Sequence, residues 1–146
     1  MDRTKIGIVG CGAIAQVHHM PNLLELGDLY DVQIVCDVSA NAAKYVADRF
    51  GVPTHVTDYR QVLDSGVDAV LLCHSDPKTE VAVAAFDAGK HVFVEKPMCF
   101  SLQEADRIIG AKKRSGKVGQ VGYMKVYDPG YEAAKREVGA MDNIRF

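Results

Sequence analysis

The sequence contains no tryptophan and few aromatic side chains of any kind, which make up 8% of its 146 residues. It also lacks an excess of charge of either sign, since its formal net charge is -2 and its basic residues are scattered among acidic ones. A nucleic-acid-binding domain needs a basic patch or stripe to neutralise phosphates. We therefore expect no nucleic acid among the partners of this chain.

Long apolar runs are missing as well. No run approaches the roughly 18 residues that a membrane-spanning helix needs. The charged start, MDRTK, leads directly into a short strand pattern and not into the apolar region of a signal peptide. We therefore expect no membrane partner and a cytoplasmic location.

The four cysteines form no C-x-x-C pair, so the sequence suggests neither a disulfide framework nor a zinc ribbon. Adjacent histidines, His18 and His19, lack the spacing of a metal pair on a helix, so we expect no metal site. The cysteines still share a position, at or just beyond the end of a predicted strand: Cys11, Cys36, Cys73 and Cys99. We interpret them as small side chains that fill space beside a ligand.

A glycine-rich turn follows the first apolar run. The segment from Lys5 to Ala15 reads KIGIVGCGAIA, in which Gly10, Gly12 and Ala15 fit the pattern G-x-G-x-x-A between a strand and a helix. Gly10 permits the tight turn, Gly12 lets the backbone approach a pyrophosphate, and Ala15 lets helix and strand pack closely. The free amides at the start of the helix then favour a phosphate.

An acidic residue closes the second predicted strand. Asp37 ends the run VQIVCD about twenty residues after the glycine turn, where a carboxylate can hold the hydroxyls of a ribose. A carboxylate at this position also repels a 2′-phosphate, which favours NAD over NADP as the cofactor. A dinucleotide is therefore the leading ligand.

Strand and helix patterns alternate along the rest of the chain, which predicts an α/β fold with a Rossmann-type, doubly wound parallel sheet. We expect Pro21 to interrupt the first helix. Ser39 predicts the cap of a second helix, and Ser101 with Glu104 predicts a capping box. A last apolar fragment, residues 144–146, predicts the start of a further strand. We therefore expect the front part of a longer protein.

In three segments the chain closely resembles the Gfo/Idh/MocA family of NAD(P)-dependent oxidoreductases, particularly its inositol dehydrogenase branch. The segments are IGIVGCGAIA, AFDAGKHVFVEKPM and QVGYMKVYDPGYEAAK. The resemblance implies a Rossmann domain at residues 1–122, with residues 123–146 beginning a C-terminal α/β substrate domain whose remainder is absent. It also implies an NAD-dependent dehydrogenase that acts on a sugar, polyol or related hydroxy compound, as a homo-oligomer in its full-length form.

The resemblance assigns the catalytic role to Lys96, from the family's E-K-P motif beside the nicotinamide. A cation there can polarise a carbonyl during hydride addition. Glu95 either orients Lys96 or simply ends its strand. The expected cofactor-binding positions are Gly10, Cys11, Gly12, Ala13, Ile14, Ala15, Asp37, Glu95 and Lys96.

The chain departs from the inositol pattern in one place. After the G-Y-M of the third segment, family members of the inositol type usually have two consecutive basic residues, whereas this chain has Lys125 and then Val126. The family's D-x-x-x-H pair, which supplies the acid/base histidine, belongs to the second domain, so we expect this chain alone to bind cofactor without efficient turnover. Two alternatives stay open: a non-catalytic NAD-binding regulator or sensor of the same fold, and a domain that binds another nucleotide ligand such as S-adenosylmethionine.

Overall fold

The computed structural model of the chain describes residues 2–141, so the predicted strand at residues 144–146 lies outside the described residues. Within the described range one parallel sheet has the order β3-β2-β1-β4-β5-β6. Its strands are β1 (Thr4–Val9), β2 (Tyr30–Cys36), β3 (Thr54–Val56), β4 (Ala69–Leu72), β5 (His91–Val94) and β6 (Gly119–Val121). This order is that of the doubly wound dinucleotide-binding fold, which confirms the predicted fold class.

Helices cover both faces of the sheet, which explains why the buried parts of its central strands β1 and β4 are apolar. The helices are α1 (Met20–Glu25), α2 (Ala40–Phe50), α3 (Tyr59–Asp64), α4 (Thr79–Asp87), α5 (Leu102–Ser115) and α6 (Pro129–Gly139). Buried side chains of α1 and α2 form one core cluster with β1 and β2. Those of α3, α4 and α5 form the other cluster, on the opposite face.

The predicted helix caps are present. Ser39 Oγ accepts a hydrogen bond from the Ala42 amide at 3.3 Å at the start of α2. The capping box of α5 is complete, with Ser101 and Glu104 each accepting from the other's backbone amide. Each cap satisfies a donor that the first turn of a helix would otherwise leave without a partner.

The prediction that Pro21 interrupts the first helix is wrong. Helical structure runs from residue 13 to residue 25, and the proline lies in the first turn of α1. A π-helical turn, Ala15–His19, precedes it, and the Met20 amide donates to the carbonyl of Ala15, five residues back. Because this wider turn shifts the backbone hydrogen bonds ahead of Pro21, the ring fits without breaking the helix.

The last described segment differs from the rest. A 3-10 helix (Met124–Tyr127) and then α6 follow β6, and the residues of both are almost entirely exposed. Asp128 caps α6, with its side chain accepting from the Gly130 and Tyr131 amides, and Pro129 occupies the first turn. None of the helices within residues 2–141 is long and apolar enough to cross a membrane.

Candidate functional site

The glycine turn after β1 depends on Gly10. Its φ is +100°, a conformation that side-chain-bearing residues rarely adopt, and its amide donates to the Cys36 carbonyl at 2.8 Å. A Cβ at this position would meet the backbone of His74 and lie 2.8 Å from the Cys73 carbonyl carbon. The turn therefore packs directly against the chain that leaves β4, which leaves no room for any side chain at Gly10.

Asp37 ties the glycine turn to the end of β2. Its Oδ2 accepts a hydrogen bond from the Cys11 amide at 2.8 Å, and its Oδ1 accepts from the Ser39 amide at 2.9 Å. Because both oxygens bind backbone amides, the half-buried carboxylate has a fixed orientation. The sequence prediction recognised the position of Asp37 but missed this contact with the turn, which joins residues 26 positions apart.

The start of the first helix presents free amides. Among the described residues, no protein acceptor bonds the amides of Gly12, Ala13 and Ile14, which also line the crevice described below. Gly12 is exposed, and a Cβ placed on it would meet no atom within 4 Å. Together with the positive end of the helix dipole, these amides can bind a phosphate without a lysine.

These groups surround a crevice of about 720 Å³ at the carboxyl edge of the sheet, centred where the strand order reverses between β1 and β4. The glycine turn forms one wall, Asp37 and Asp58 flank the end toward β3, and His74 and Pro77 form the wall beyond β4. A volume of this size suits a cofactor. The structure thus brings together the predicted residues of the turn and Asp37.

Of the four cysteines interpreted as space-filling, Cys11, Cys36 and Cys73 are buried at this edge, whereas Cys99 is half-buried in the segment after β5. Burial raises the pKa of the Cys11 and Cys73 thiols to about 12 and that of Cys36 to about 11. The negative charge of Asp37 adds to the shift at Cys11 and Cys36. All three are therefore neutral and poorly nucleophilic near pH 7, which supports a space-filling role.

His74 lies in the wall of the crevice, with its Nδ1 3.4 Å from the Val9 carbonyl oxygen. Burial lowers the pKa of His74 below its ordinary value, and the charge of Lys78 contributes to the same shift. The ring is therefore uncharged at neutral pH. It can contact a ligand without adding a positive charge to the crevice.

Glu95 follows β5 and is nearly buried, with 8% of its surface exposed. Its Oε1 lies 2.9 Å from Nε2 of His19, and its Oε2 accepts a hydrogen bond from the Lys96 amide at 3.0 Å. Of the two roles considered for Glu95, this geometry favours orienting the chain at Lys96. Sequence reasoning missed His19 as its partner, since nothing local to a pair of histidines indicates a contact 76 positions away.

Lys96 is exposed, and within residues 2–141 its Nζ forms no hydrogen bond or ion pair with the protein. The Lys96–Pro97 peptide is cis. Glu95 and Lys96 lie at the same edge of the sheet as the crevice, one strand beyond β4, but outside its lining. The structure therefore divides the predicted site into a group around the glycine turn and a group after β5.

A second lysine in this region was missed altogether. Lys78, just before α4, is 1% exposed, and its Nζ donates to the carbonyl of Pro97 at 3.1 Å. Burial lowers the pKa of Lys78, and the negative charge of Glu95 opposes that shift. In the sequence it resembles an ordinary surface lysine at the start of a helix, so no local signal identifies it.

A metal-binding cluster is not found in the described part of the chain, where no three histidine, cysteine, aspartate or glutamate side chains are grouped to hold an ion.

Comparison with protein families matches residues 4–123 to an oxidoreductase family with an NAD-binding Rossmann fold. Inositol 2-dehydrogenase of Salmonella typhimurium is 35% identical over 135 residues, which are 90% of this chain and 40% of that protein. The chain therefore spans about 40% of the length of the curated relatives it matches.

Solved structures show the same fold. Scyllo-inositol dehydrogenase from Lactobacillus casei, with bound NAD(H) and scyllo-inositol, has a TM-score of 0.84 and 26% identity over 94% of this chain and 41% of its own. A 3-ketoreductase from Actinomadura kijaniata in complex with NADP has a TM-score of 0.85 and 26% identity, covering 94% and 44%. Similar structures therefore bind either NAD(H) or NADP.

Proposed function

The chain belongs to the Gfo/Idh/MocA oxidoreductase family, and from this premise we propose that it is the cofactor-binding part of an NAD-dependent dehydrogenase. The observation that carries the proposal is the crevice itself, where the free amides of the first helix and the fixed carboxylate of Asp37 line one cavity at the reversal of strand order. Residues 1–122 would form the cofactor domain, and residues 123–146 would lead into a substrate domain.

Within the crevice, the amides of Gly12, Ala13 and Ile14 would bind the pyrophosphate. Asp37 would accept hydrogen bonds from the adenosine ribose while keeping those from Cys11 and Ser39, because each carboxylate oxygen can accept two. Cys11 and Ala15, both buried, would shape the turn from behind. When bound, the nicotinamide would supply the hydride acceptor or donor.

NAD is the proposed cofactor in preference to NADP. Asp37 and Asp58 both line the crevice beyond β2 and β3, and Asp58 also pairs with Arg60 at 3.2 Å. A 2′-phosphate would meet the negative charge of Asp37, while the nearby guanidinium of Arg60 is already paired with Asp58. The charge balance of this end therefore disfavours the additional phosphate.

Lys96 is the proposed catalytic residue, and a sugar, polyol or related hydroxy compound the proposed substrate, as the names of the relatives suggest. The ammonium would stabilise the substrate oxygen as its carbon gains or loses hydride. Its exposure and its freedom from partners among the described residues leave it available for this contact. Oxidation of a substrate hydroxyl also releases a proton, which the Lys96 ammonium cannot accept. Because the expected acid/base histidine belongs to the second domain, we expect the 146-residue chain to bind cofactor without efficient turnover.

A second candidate is a non-catalytic NAD-binding regulator of the same fold. Val126, where the inositol branch has a basic residue, is 48% exposed, and the neighbouring Lys125 is paired with Asp128 at 3.1 Å. This segment therefore lacks the second cation, and its first cation, Lys125, is paired with Asp128. Both features favour the non-catalytic regulator. The Glu95–Lys96 arrangement favours the enzyme.

Thermal unfolding of the 146-residue chain, with NAD, NADP and S-adenosylmethionine titrated separately, tests the proposal. At a hundredfold excess over its dissociation constant a ligand stabilises the folded state by about 2.7 kcal/mol, which raises the midpoint by several degrees. We expect the largest shift with NAD.

Two variants locate the binding. Gly12→Ala should keep the midpoint of the free chain, because the added methyl group meets no protein atom, but should abolish the shift with NAD. Asp37→Asn should weaken NAD binding about tenfold and narrow its preference over NADP. Asp48→Asn, on the exposed part of α2, is the matched control and should change neither the NAD affinity nor the preference for NAD over NADP. A chain that shifts equally with NAD and NADP contradicts the proposed preference, and one that shifts only with S-adenosylmethionine contradicts the cofactor.

A further inference from the structure

Lys78 is an unusual residue for its position. The loop between β4 and α4 is otherwise exposed from Ser75 to Pro77, yet the Lys78 side chain turns inward and is 1% exposed. Its ammonium has three donors, and the structure records one acceptor for them, the Pro97 carbonyl at 3.1 Å. The hydrogen bond recorded for this buried ammonium therefore joins the start of α4 to the segment that follows β5.

Burial of this charge does not favour the fold by itself. Desolvation lowers the pKa of Lys78, which shows that the folded environment disfavours its charged form despite the nearby Glu95. An apolar side chain of the same length would fill the space without that cost. The stability of the fold thus does not explain a lysine at this position. Its hydrogen bond to the Pro97 carbonyl does.

That contact completes a clamp on the backbone at Lys96. On one side, Glu95 Oε2 accepts the hydrogen bond of the Lys96 amide, and Glu95 is itself held by His19. On the other side, Lys78 holds the carbonyl of Pro97. The backbone on both sides of Lys96 is therefore fixed by buried charged groups, while the Lys96 side chain stays exposed.

We propose that Lys78 is a positioning residue, which holds the Pro97 carbonyl and so fixes Lys96 at the nicotinamide end of the cofactor site. This inference rests on the proposed function in so far as Lys96 serves that end. It predicts that Lys78 contributes to the binding of the nicotinamide half of a dinucleotide and not to the binding of the adenosine half.

The test compares Lys78→Met with Lys90→Met in the 146-residue chain. Lys90 is the matched control, because its Nζ also donates to a backbone carbonyl, that of Val67 at 2.9 Å, but before β4 and β5, at the opposite edge of the sheet. Two measurements are made on each variant: hydrogen exchange of the Lys96 amide without ligand, and the dissociation constants of NADH and of ADP-ribose, which lacks the nicotinamide.

We expect Lys78→Met to speed exchange of the Lys96 amide at least tenfold and to weaken NADH binding about fivefold, with ADP-ribose affinity within twofold of the unsubstituted chain. Lys90→Met should leave all three values unchanged. Unaltered exchange at Lys96 would overturn the clamp, and an equal loss of NADH and ADP-ribose affinity would overturn the positioning role in favour of a general structural one.

Failure of the proposed function gives a different result, since the unsubstituted chain would then bind neither NADH nor ADP-ribose. The exchange measurement needs no ligand and would still decide whether Lys78 holds the backbone at Lys96. Should Lys78→Met fail to fold, Lys78→Gln keeps an uncharged amide donor for the Pro97 carbonyl, and we expect it to retain slow exchange. Fast exchange in a folded Lys78→Gln chain would overturn the clamp.

Discussion

The two ends of the candidate site are held in different ways. The end at the glycine turn depends on an absence of side chains, at Gly10 and Gly12, and on backbone amides bound by Asp37. The end after β5 depends on polar side chains, those of the buried Glu95 and Lys78 and of the half-buried His19. At the first end Gly10 has no space for an added atom and Gly12 must leave its backbone open to a ligand, whereas at the second end each buried group needs its partner.

This difference indicates what each end can tolerate. Backbone amides keep their position in any sequence that allows the turn, so the first end is insensitive to most substitutions outside the two glycines and Asp37. A buried charge depends on each of its partners, since an unpaired one costs far more than a hydrogen bond contributes. The end after β5 is therefore more sensitive to substitutions at distant positions.

The strongest way to break the first end is Gly10→Ala. The positive φ costs about 1 to 2 kcal/mol for a residue with a Cβ, and the overlap with the backbone at Cys73 and His74 adds about 1 to 3 kcal/mol. We expect the free energy of unfolding to fall by about 3 kcal/mol, measured by urea denaturation, with loss of NAD binding. Gly51→Ala is the control, because Gly51 also has a positive φ but open space around it, and it should cost only about 1 kcal/mol. Equal losses in the two variants would contradict the close packing at Gly10.

The second end is broken by His19→Leu. This change leaves Oε1 of the nearly buried Glu95 without its partner, which costs about 1 to 3 kcal/mol. The same change at the exposed neighbour, His18→Leu, should alter the free energy of unfolding by less than about 0.5 kcal/mol. If both variants unfold at the same urea concentration, the contact with Glu95 contributes nothing measurable.

A pH titration sharpens the comparison at the first end. The Cys11 thiol ionises near pH 9 when unfolded but has a pKa of about 12 when folded. Between pH 9 and pH 12 the unfolded state therefore holds fewer protons than the folded state, so stability falls as the pH rises. From pH 8 to pH 10, Cys11→Ala should lose about 1 kcal/mol less of its free energy of unfolding than the unsubstituted chain. If both chains lose the same free energy of unfolding between pH 8 and pH 10, folding does not suppress ionisation of the Cys11 thiol.

Sequence reasoning located the first end well and the second only in part. The strand before Gly10, the helix after Gly12 and the carboxylate at Asp37 are separately visible, because each is expressed in a few neighbouring residues. Lys96 was found through its flanking motif, but its supports were not. The error at Pro21 has a similar origin, since a π-helical turn five residues long changes how the helix meets a proline and leaves no mark in apolar periodicity.

The sequence by itself determined the alternation of strands and helices, the helix caps, the glycine turn and the acidic residue after β2, because these follow from backbone conformation and hydrogen bonds over a few positions. Only the tertiary structure decided which face of a helix meets which strand, and so placed His19 on Glu95 and Lys78 on Pro97, 76 and 19 positions apart. A buried charge is defined by the dielectric and the partners around it. These surroundings exist only once the sheet has placed the carboxyl ends of β1, β4 and β5 side by side at one edge.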